Sequence, residues 1–120
     1  MTTLGQDRSK YALEQVLQVG QRIDKFDTFT AGAATMILRN GLGQTMAFWM
    51  QKSEGRDDEK HGALLRIVRV WLNEKQIIQS TDNISFIRAL SEVPQETYLA
   101  AQKETLALLE WVKRYASSNF

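Results

Sequence analysis

The sequence contains no cysteine, one proline and one histidine in 120 residues. The absence of cysteine excludes disulfides, iron–sulfur clusters and thiol catalysis, and it is typical of proteins from a reducing compartment. A single histidine leaves no histidine pair for a metal site. The lone proline, together with seven glycines, argues against a loop-rich or β-rich fold.

Long hydrophobic runs are also absent. The stretch LLRIVRVWL contains two arginines, whereas a membrane span needs about 18 apolar residues. The first residues, MTTLGQDRSK, lack the basic-then-apolar pattern of a signal segment. We therefore expect a cytoplasmic protein with no membrane partner. The length fits one domain, residues 1–120, with a core of its own.

What the chain does have is helical periodicity. Apolar residues at helical spacing predict helices over 4–25, 31–40, about 43–52, 59–79, a short segment after residue 82, and 94 to about 117. We expect Asp27 or Thr28 to cap the second helix, Asp57 or Asp58 the fourth, and Asp82 the fifth. No segment has strand alternation, so the prediction is an all-α fold, a single compact bundle of five or six helices.

The stretch MILRNGLGQTMAFWMQK, residues 36–52, interrupts two apolar helices with two glycines. In the helical interpretation Gly41 takes the left-handed conformation after Asn40, and Leu42 packs back onto Ile37. Gly43 and the next residue then begin another helix. The motif consists of Asn40, Gly41, Leu42, Gly43 and Gln44. The alternative is that the helix N-terminus at Gly43 binds an anion.

No pattern indicates an enzyme. His61 lies in a polar segment, SEGRDDEKHG, where a solvated linker histidine is expected. The GLG sequence follows a helix and is not a G-x-G-x-x-G or Walker loop. Asp57, Asp58 and Glu59 are consecutive and do not face one another, so they favour a helix-dipole role. We expect no catalytic residue, no metal and no cofactor.

The net charge is +1, from 15 basic and 14 acidic residues, so it gives no nucleic-acid signature, and any such binding depends on where the cations lie. Arg66 and Arg69 lie one turn apart on a polar face, and other basic residues lie near helix C-termini, where solvated dipole partners are common. The tryptophans could stack bases. Trp71 lies on an apolar stripe and Trp111 adjoins one, which favours core packing for both.

Two stretches, MILRNGLGQTMAFWMQK and YLAAQKETLALLEWVKRYASS, resemble the small all-helical subunits of the type III-B CRISPR effector, the Cmr RNA-silencing complex. The matching residues are the Asn40–Gln44 motif with Ala47 and Phe48, and the closing pattern from Thr105 to Tyr115. The sequence departs from the family where Met46 and Val112 replace a frequent leucine. It also has Ala33–Thr35 where members often have a proline.

The resemblance implies a non-catalytic subunit that stacks in a minor filament and helps to enclose a groove for target RNA. The implied partners are other Cmr complex subunits, including copies of itself, with CRISPR RNA and target RNA reached through the assembled complex. On that basis we expect an RNA-facing side formed by Arg39, Lys52, Arg56, Arg66, Arg69, Lys113 and Arg114. The alternative is a structural spacer that does not contact RNA.

Overall fold

The computed structural model describes residues 1–118, except for the side chain of Gln21. Within these residues, the helical spacing of apolar residues produces six α-helices. They are α1 (Leu4–Val19), α2 (Phe26–Asn40), α3 (Leu42–Ser53), α4 (Lys60–Glu74), α5 (Asn83–Glu92) and α6 (Gln95–Ala116). These residues contain no strand. The all-α prediction is confirmed, and the helices form one compact bundle with a radius of gyration of 13.3 Å.

α4 is the central helix and packs against all of the others. Its inner face is fully or almost fully buried and contains the residues that the periodicity selected: Leu64, Leu65, Ile67, Val68, Trp71 and Leu72. α6 packs between α1 and α2, and α3 packs against α2, α4 and α5. Each large apolar side chain buried in this way stabilises the fold by about 1.5–3 kcal/mol.

The predicted first helix, 4–25, is too long. α1 ends at Val19 because Gly20 takes a positive φ of 51°, and a short 3₁₀ turn follows. α2 begins at Phe26, so the segment expected to connect the helices is mostly helical. The caps predicted at Asp27 or Thr28 are wrong, because the residue before the helix is Lys25, with φ 60° and no side-chain cap.

The predicted fourth helix, 59–79, is also too long. α4 stops at Glu74 with a Schellman motif, in which the amide of Ile77 donates to the carbonyl of Leu72 and that of Gln76 to the carbonyl of Asn73. Gln76 takes the positive φ, 59°, that glycine usually provides. Ile78, 1% exposed, then folds back onto the core.

The N-terminal caps of the later helices are set by acidic side chains and proline. Asp82 caps α5 as predicted, with its carboxylate accepting from the amide of Ser85. The cap of α4 is Glu59, not Asp57 or Asp58, because the Glu59 carboxylate accepts from the amides of His61 and Gly62. Pro94 directly precedes α6, where its missing N–H costs no hydrogen bond.

Candidate nucleic-acid interface

The Asn40–Gln44 motif is a bend between two packed helices. The amide of Gly41 donates to the carbonyl of Ile37 at 2.7 Å, which closes α2, and α3 begins at Leu42, one residue earlier than expected. Gly41 has φ 83° and ψ 162°, a region that is open essentially to glycine alone. The predicted left-handed conformation is therefore wrong in ψ, although the requirement for glycine holds. Ile37 and Leu42 are both fully buried.

Side chains of α6 cap the first amides of α3. The Gln102 carbonyl oxygen accepts from the amide of Leu42 at 2.9 Å, and the Tyr98 hydroxyl accepts from the amide of Gly43 at 2.8 Å. An anion at this helix N-terminus would need the same N–H groups. The arrangement therefore favours the bend over the anion site.

The outer face of α4 and the turn before it contain three of the candidate cations, each with a polar partner. Arg66 Nε lies 4.0 Å from an Asp57 carboxylate oxygen, and Arg56 Nε lies 3.4 Å from one of Asp58. Arg69, one turn after Arg66, donates from Nε to the Asn83 side-chain carbonyl at 3.1 Å. Because two of the cations are next to exposed carboxylates, the positive potential of this face is partly cancelled.

The remaining candidates lie elsewhere. Arg39 lies in the last turn of α2 and Lys52 in the last turn of α3. Most of the length of α3 therefore separates them, about 15 Å from Leu42 to Lys52 at roughly 1.5 Å per residue. Lys113 and Arg114 lie at the end of α6, and Lys113 Nζ is 3.6 Å from a Glu110 carboxylate oxygen. The predicted residues are therefore divided among the bend, the end of α3, the outer face of α4 with the turn before it, and the end of α6.

A groove between α1 and α6 is lined by a cation that the sequence reasoning missed, Lys10. It has a volume of about 560 Å³ and is lined by Thr3, Gly5, Gln6, Ser9, Lys10, Leu13 and Trp111. Lys103 and Arg114 are exposed on α6 outside the groove lining, eight residues before and three residues after Trp111. This spacing could have been read from the sequence, but only the packing of α1 against α6 brings Lys10 beside Trp111.

Lys10 and the two exposed α6 cations have no close ion-pair partners among the described residues. Within residues 1–118, no carboxylate oxygen lies within 4.0 Å of the charged nitrogens of Lys10, Lys103 or Arg114. Trp71 is 2% exposed, as expected for a core residue. Trp111 packs against the core, as expected, but it is only half-buried, so part of its ring faces the groove. The groove therefore combines an accessible indole ring with a cation that no ion pair offsets.

His61 is not the solvated linker histidine that we expected. It lies in the first turn of α4 with a side chain 12% exposed, and its Nδ1 is 2.6 Å from a Glu59 carboxylate oxygen. Its ring lies 4.5 Å from that of Phe29, centroid to centroid. Burial raises the pKa of Glu59, but the hydrogen bonds from His61 and from backbone amides lower it by more. The pKa of Glu59 therefore lies below its ordinary value.

A buried ion pair joins α1 to α6. Arg8 donates from Nε and Nη2 to the two Glu104 carboxylate oxygens at 2.7 and 2.8 Å, and the Trp71 indole N–H donates to the same carboxylate at 2.9 Å. Burial raises the pKa of Glu104, but these hydrogen bonds and the charge of Arg8 together hold that pKa below its ordinary value. The group orients three helices and is not open to a ligand.

The described residues offer little to other kinds of site. Between residues 1 and 118 there is no cluster of three or more histidine, cysteine, aspartate or glutamate side chains suited to a metal ion. In the same part of the chain, no helix is both long enough and apolar enough to cross a bilayer.

The fold defines the class of the protein: a small all-α bundle whose cations lie on several separate parts of its surface. Its family follows from comparison with known proteins. The family model of the CRISPR-associated protein Cas_Cmr5 matches residues 4–119. The chain therefore belongs to this family, whose members are small subunits of the type III-B Cmr complex.

Proposed function

We propose that this chain is a non-catalytic small subunit of the cytoplasmic Cmr complex that stacks with copies of itself and helps to line the groove for target RNA in antiviral defence. The observation that carries the proposal is the family match over residues 4–119. The surface cations of the bundle support it, because a phosphate backbone requires positive charge and not a reaction centre. Cleavage belongs to other subunits.

The RNA-facing residues in this proposal are those expected from the sequence. The pair Arg66 and Arg69 is the best placed of them, since both lie on the outer face of α4, one turn apart. Arg56 adjoins that face through the 56–58 turn, where Asp57 contacts Arg66. Arg39, Lys52, Lys113 and Arg114 would touch RNA only where it passes other parts of the subunit.

The test reverses the charge of the α4 pair. Arg66→Glu with Arg69→Glu, in the assembled complex, is expected to weaken target-RNA binding. It should also reduce the slope of log affinity against log salt by about 1 for each phosphate contact that is lost. The matched control is Arg88→Glu, an exposed arginine on α5 outside the proposed set. Unchanged affinity across the salt titration would remove Arg66 and Arg69 from the RNA-facing side.

The second candidate is a structural spacer that contacts sister copies and other subunits without touching RNA. The carboxylates beside Arg56 and Arg66 favour it, because they reduce the charge available to phosphates. The two functions differ in the salt-dependent RNA affinity of the isolated subunit. They also predict different results for charge reversals that leave assembly intact. Such reversals leave RNA binding unchanged if the subunit is a spacer, and weaken it if the subunit contacts RNA.

A further inference from the structure

The three tryptophans differ in accessibility. Trp49 is 0% exposed and Trp71 2% exposed, so neither ring can meet a ligand. Trp111 is half-buried and lines the groove between α1 and α6. An accessible aromatic ring within a surface groove is the element with which proteins stack unpaired bases of single-stranded nucleic acid.

We propose that Trp111 stacks an unpaired base of single-stranded RNA in the α1–α6 groove, while Lys10, Lys103 and Arg114 bind the neighbouring phosphates. The inference rests on the proposed function, since it names an RNA contact of the same subunit. Of the four residues in this site, only Arg114 belongs to the RNA-facing set expected from the sequence.

The Trp111 ring is held in place by its neighbours. The ring of Tyr115 lies 5.9 Å from that of Trp111, with an interplanar angle of 31°. The Tyr115 hydroxyl forms a hydrogen bond of 2.6 Å with the Ser9 hydroxyl on α1, which fixes the tyrosine ring. A platform that is already ordered loses little side-chain entropy when a base stacks on it.

The charge around the ring suits a phosphate backbone. Lys10 lines the groove itself, and Lys103 and Arg114 are exposed on α6, eight residues before and three residues after Trp111. Three carboxylates are near. Glu110 lies 3.6 Å from Lys113 and Asp7 lies 3.5 Å from Lys75, so both are offset, and Glu14 is exposed one turn after Lys10 on α1. The cations therefore outnumber the free carboxylate around the groove, and this complementarity favours RNA over a protein partner.

The fluorescence of Trp111 provides a direct test with the full-length chain. Titration with single-stranded adenosine RNA of about 12 nucleotides, a length within known site sizes, should quench emission, because a stacked base is in van der Waals contact with the indole. Trp111→Phe should abolish the quenching, since Trp49 and Trp71 are buried. Quenching that survives in Trp111→Phe would overturn the proposal.

Affinity measurements separate stacking from charge. Trp111→Leu keeps an apolar side chain but removes the aromatic face, and it should weaken binding of the adenosine RNA about tenfold. The same variant should bind an abasic ribose-phosphate strand as well as the wild type does. Leu99→Ala, an exposed apolar residue of the same helix, is the matched control and should change neither affinity.

The outcomes distinguish the two proposals. If the wild-type chain and the assembled complex bind RNA but Trp111→Leu does so equally well, the stacking site is wrong and the proposed function stands. If neither binds RNA at low salt, both fail. If Trp111→Leu instead prevents assembly and leaves RNA affinity unchanged, the groove is a protein interface and the stacking site is again wrong.

Discussion

At the scale of single residues, glycine is required at the α2–α3 bend for two reasons. The backbone of Gly41 has φ 83° and ψ 162°, and a Cβ there would lie 3.2 Å from the Tyr98 hydroxyl oxygen. The same hydroxyl accepts from the amide of Gly43, so it cannot move away without leaving that amide unpaired. Strain and packing therefore act in the same direction.

Gly41→Ala should destabilise the fold by about 2–3 kcal/mol, from backbone strain and the displaced tyrosine. Urea unfolding followed by circular dichroism measures the change. The matched control is Gly32→Ala on α2, where a Cβ would meet nothing within 4 Å. That variant should be stabilised by up to about 1 kcal/mol because alanine is the better helix former. Equal effects from the two variants would contradict the explanation.

The environment of His61 also belongs to this scale, and the sequence concealed it. The histidine follows four charged residues, Asp57, Asp58, Glu59 and Lys60, which predicted exposure. In the structure α2 and α3 contribute Phe29 and Phe48 beside its ring. A contact of this kind depends on distant residues, so local composition could not reveal it.

At the scale of helices, the Arg8–Glu104 pair is the main polar link between α1 and α6. The Glu104 side chain is 8% exposed, and it accepts hydrogen bonds from both Arg8 and the Trp71 indole. Because its folded-state pKa is depressed, the carboxylate contributes stability above pH 4.5, the ordinary pKa of a glutamate, and the contribution is lost as the pH falls through the lower folded pKa.

Glu104→Gln should lower the free energy of unfolding near neutral pH by about 2 kcal/mol, because charge-assisted hydrogen bonds are replaced by weaker ones. It should also flatten the loss of stability below pH 4.5. Urea unfolding over a pH series measures both effects. Glu110→Gln, at an exposed pair with Lys113, is the control and should change stability by less than about 1 kcal/mol. A pH profile identical to wild type would contradict the assignment.

The start of α4 depends on close packing against the preceding turn. A Cβ at Gly62 would lie 1.6 Å from the backbone carbonyl oxygen of Arg56. Gly62→Ala should therefore displace the 53–58 segment and destabilise the fold by at least about 3 kcal/mol, measured by thermal unfolding. Gly5→Ala, in the open first turn of α1, is the control and should be near neutral. A mild effect at Gly62 would mean that the segment yields easily.

Helix content was predictable from the sequence, but three helix boundaries were not: the end of α1, the start of α2 and the end of α4. The inner faces of α4 and α6 follow apolar periodicity, and the structure buries Leu64, Val68 and Leu108 as expected. Two of the three boundaries have residues other than glycine at positive φ, Lys25 before α2 and Gln76 after α4, whereas the early end of α1 has Gly20. At Lys25 and Gln76 the backbone conformation is set by the burial of the core residues that follow, Phe26 and Ile78. Because neither Lys25 nor Gln76 is a residue type typical of positive φ, the sequence did not indicate these boundaries.

At the scale of the whole molecule, the near-neutral net charge conceals an uneven distribution. Cations on the outer face of α4 are offset by Asp57 and Asp58, whereas those around the α1–α6 groove have no close partner within residues 1–118. The sequence could supply a list of basic residues but not this difference, because pairing depends on which loops and helices meet.

The two surfaces should differ in their contribution to the salt dependence of RNA binding. Lys10→Ala with Lys103→Ala should reduce the slope of log affinity against log salt by about 1.4, or roughly 0.7 per lost phosphate contact on a single strand. Arg56→Ala with Arg66→Ala should reduce it less, since aspartates already offset those cations. Fluorescence anisotropy with the isolated chain measures the slopes. A larger reduction of the slope by Arg56→Ala with Arg66→Ala than by Lys10→Ala with Lys103→Ala would contradict this prediction.

The capping of α3 by Tyr98 and Gln102 has a consequence for synthesis of the chain. The amides of Leu42 and Gly43 donate to Gln102 and Tyr98, which lie 60 and 55 residues further along the chain. These hydrogen bonds cannot form until α6 has been synthesised. A nascent polypeptide paused before α6 would expose the first turn of α3 and the apolar faces that α6 covers. Newly made copies are therefore expected to reach their protease-resistant form only after the final helix has left the ribosome.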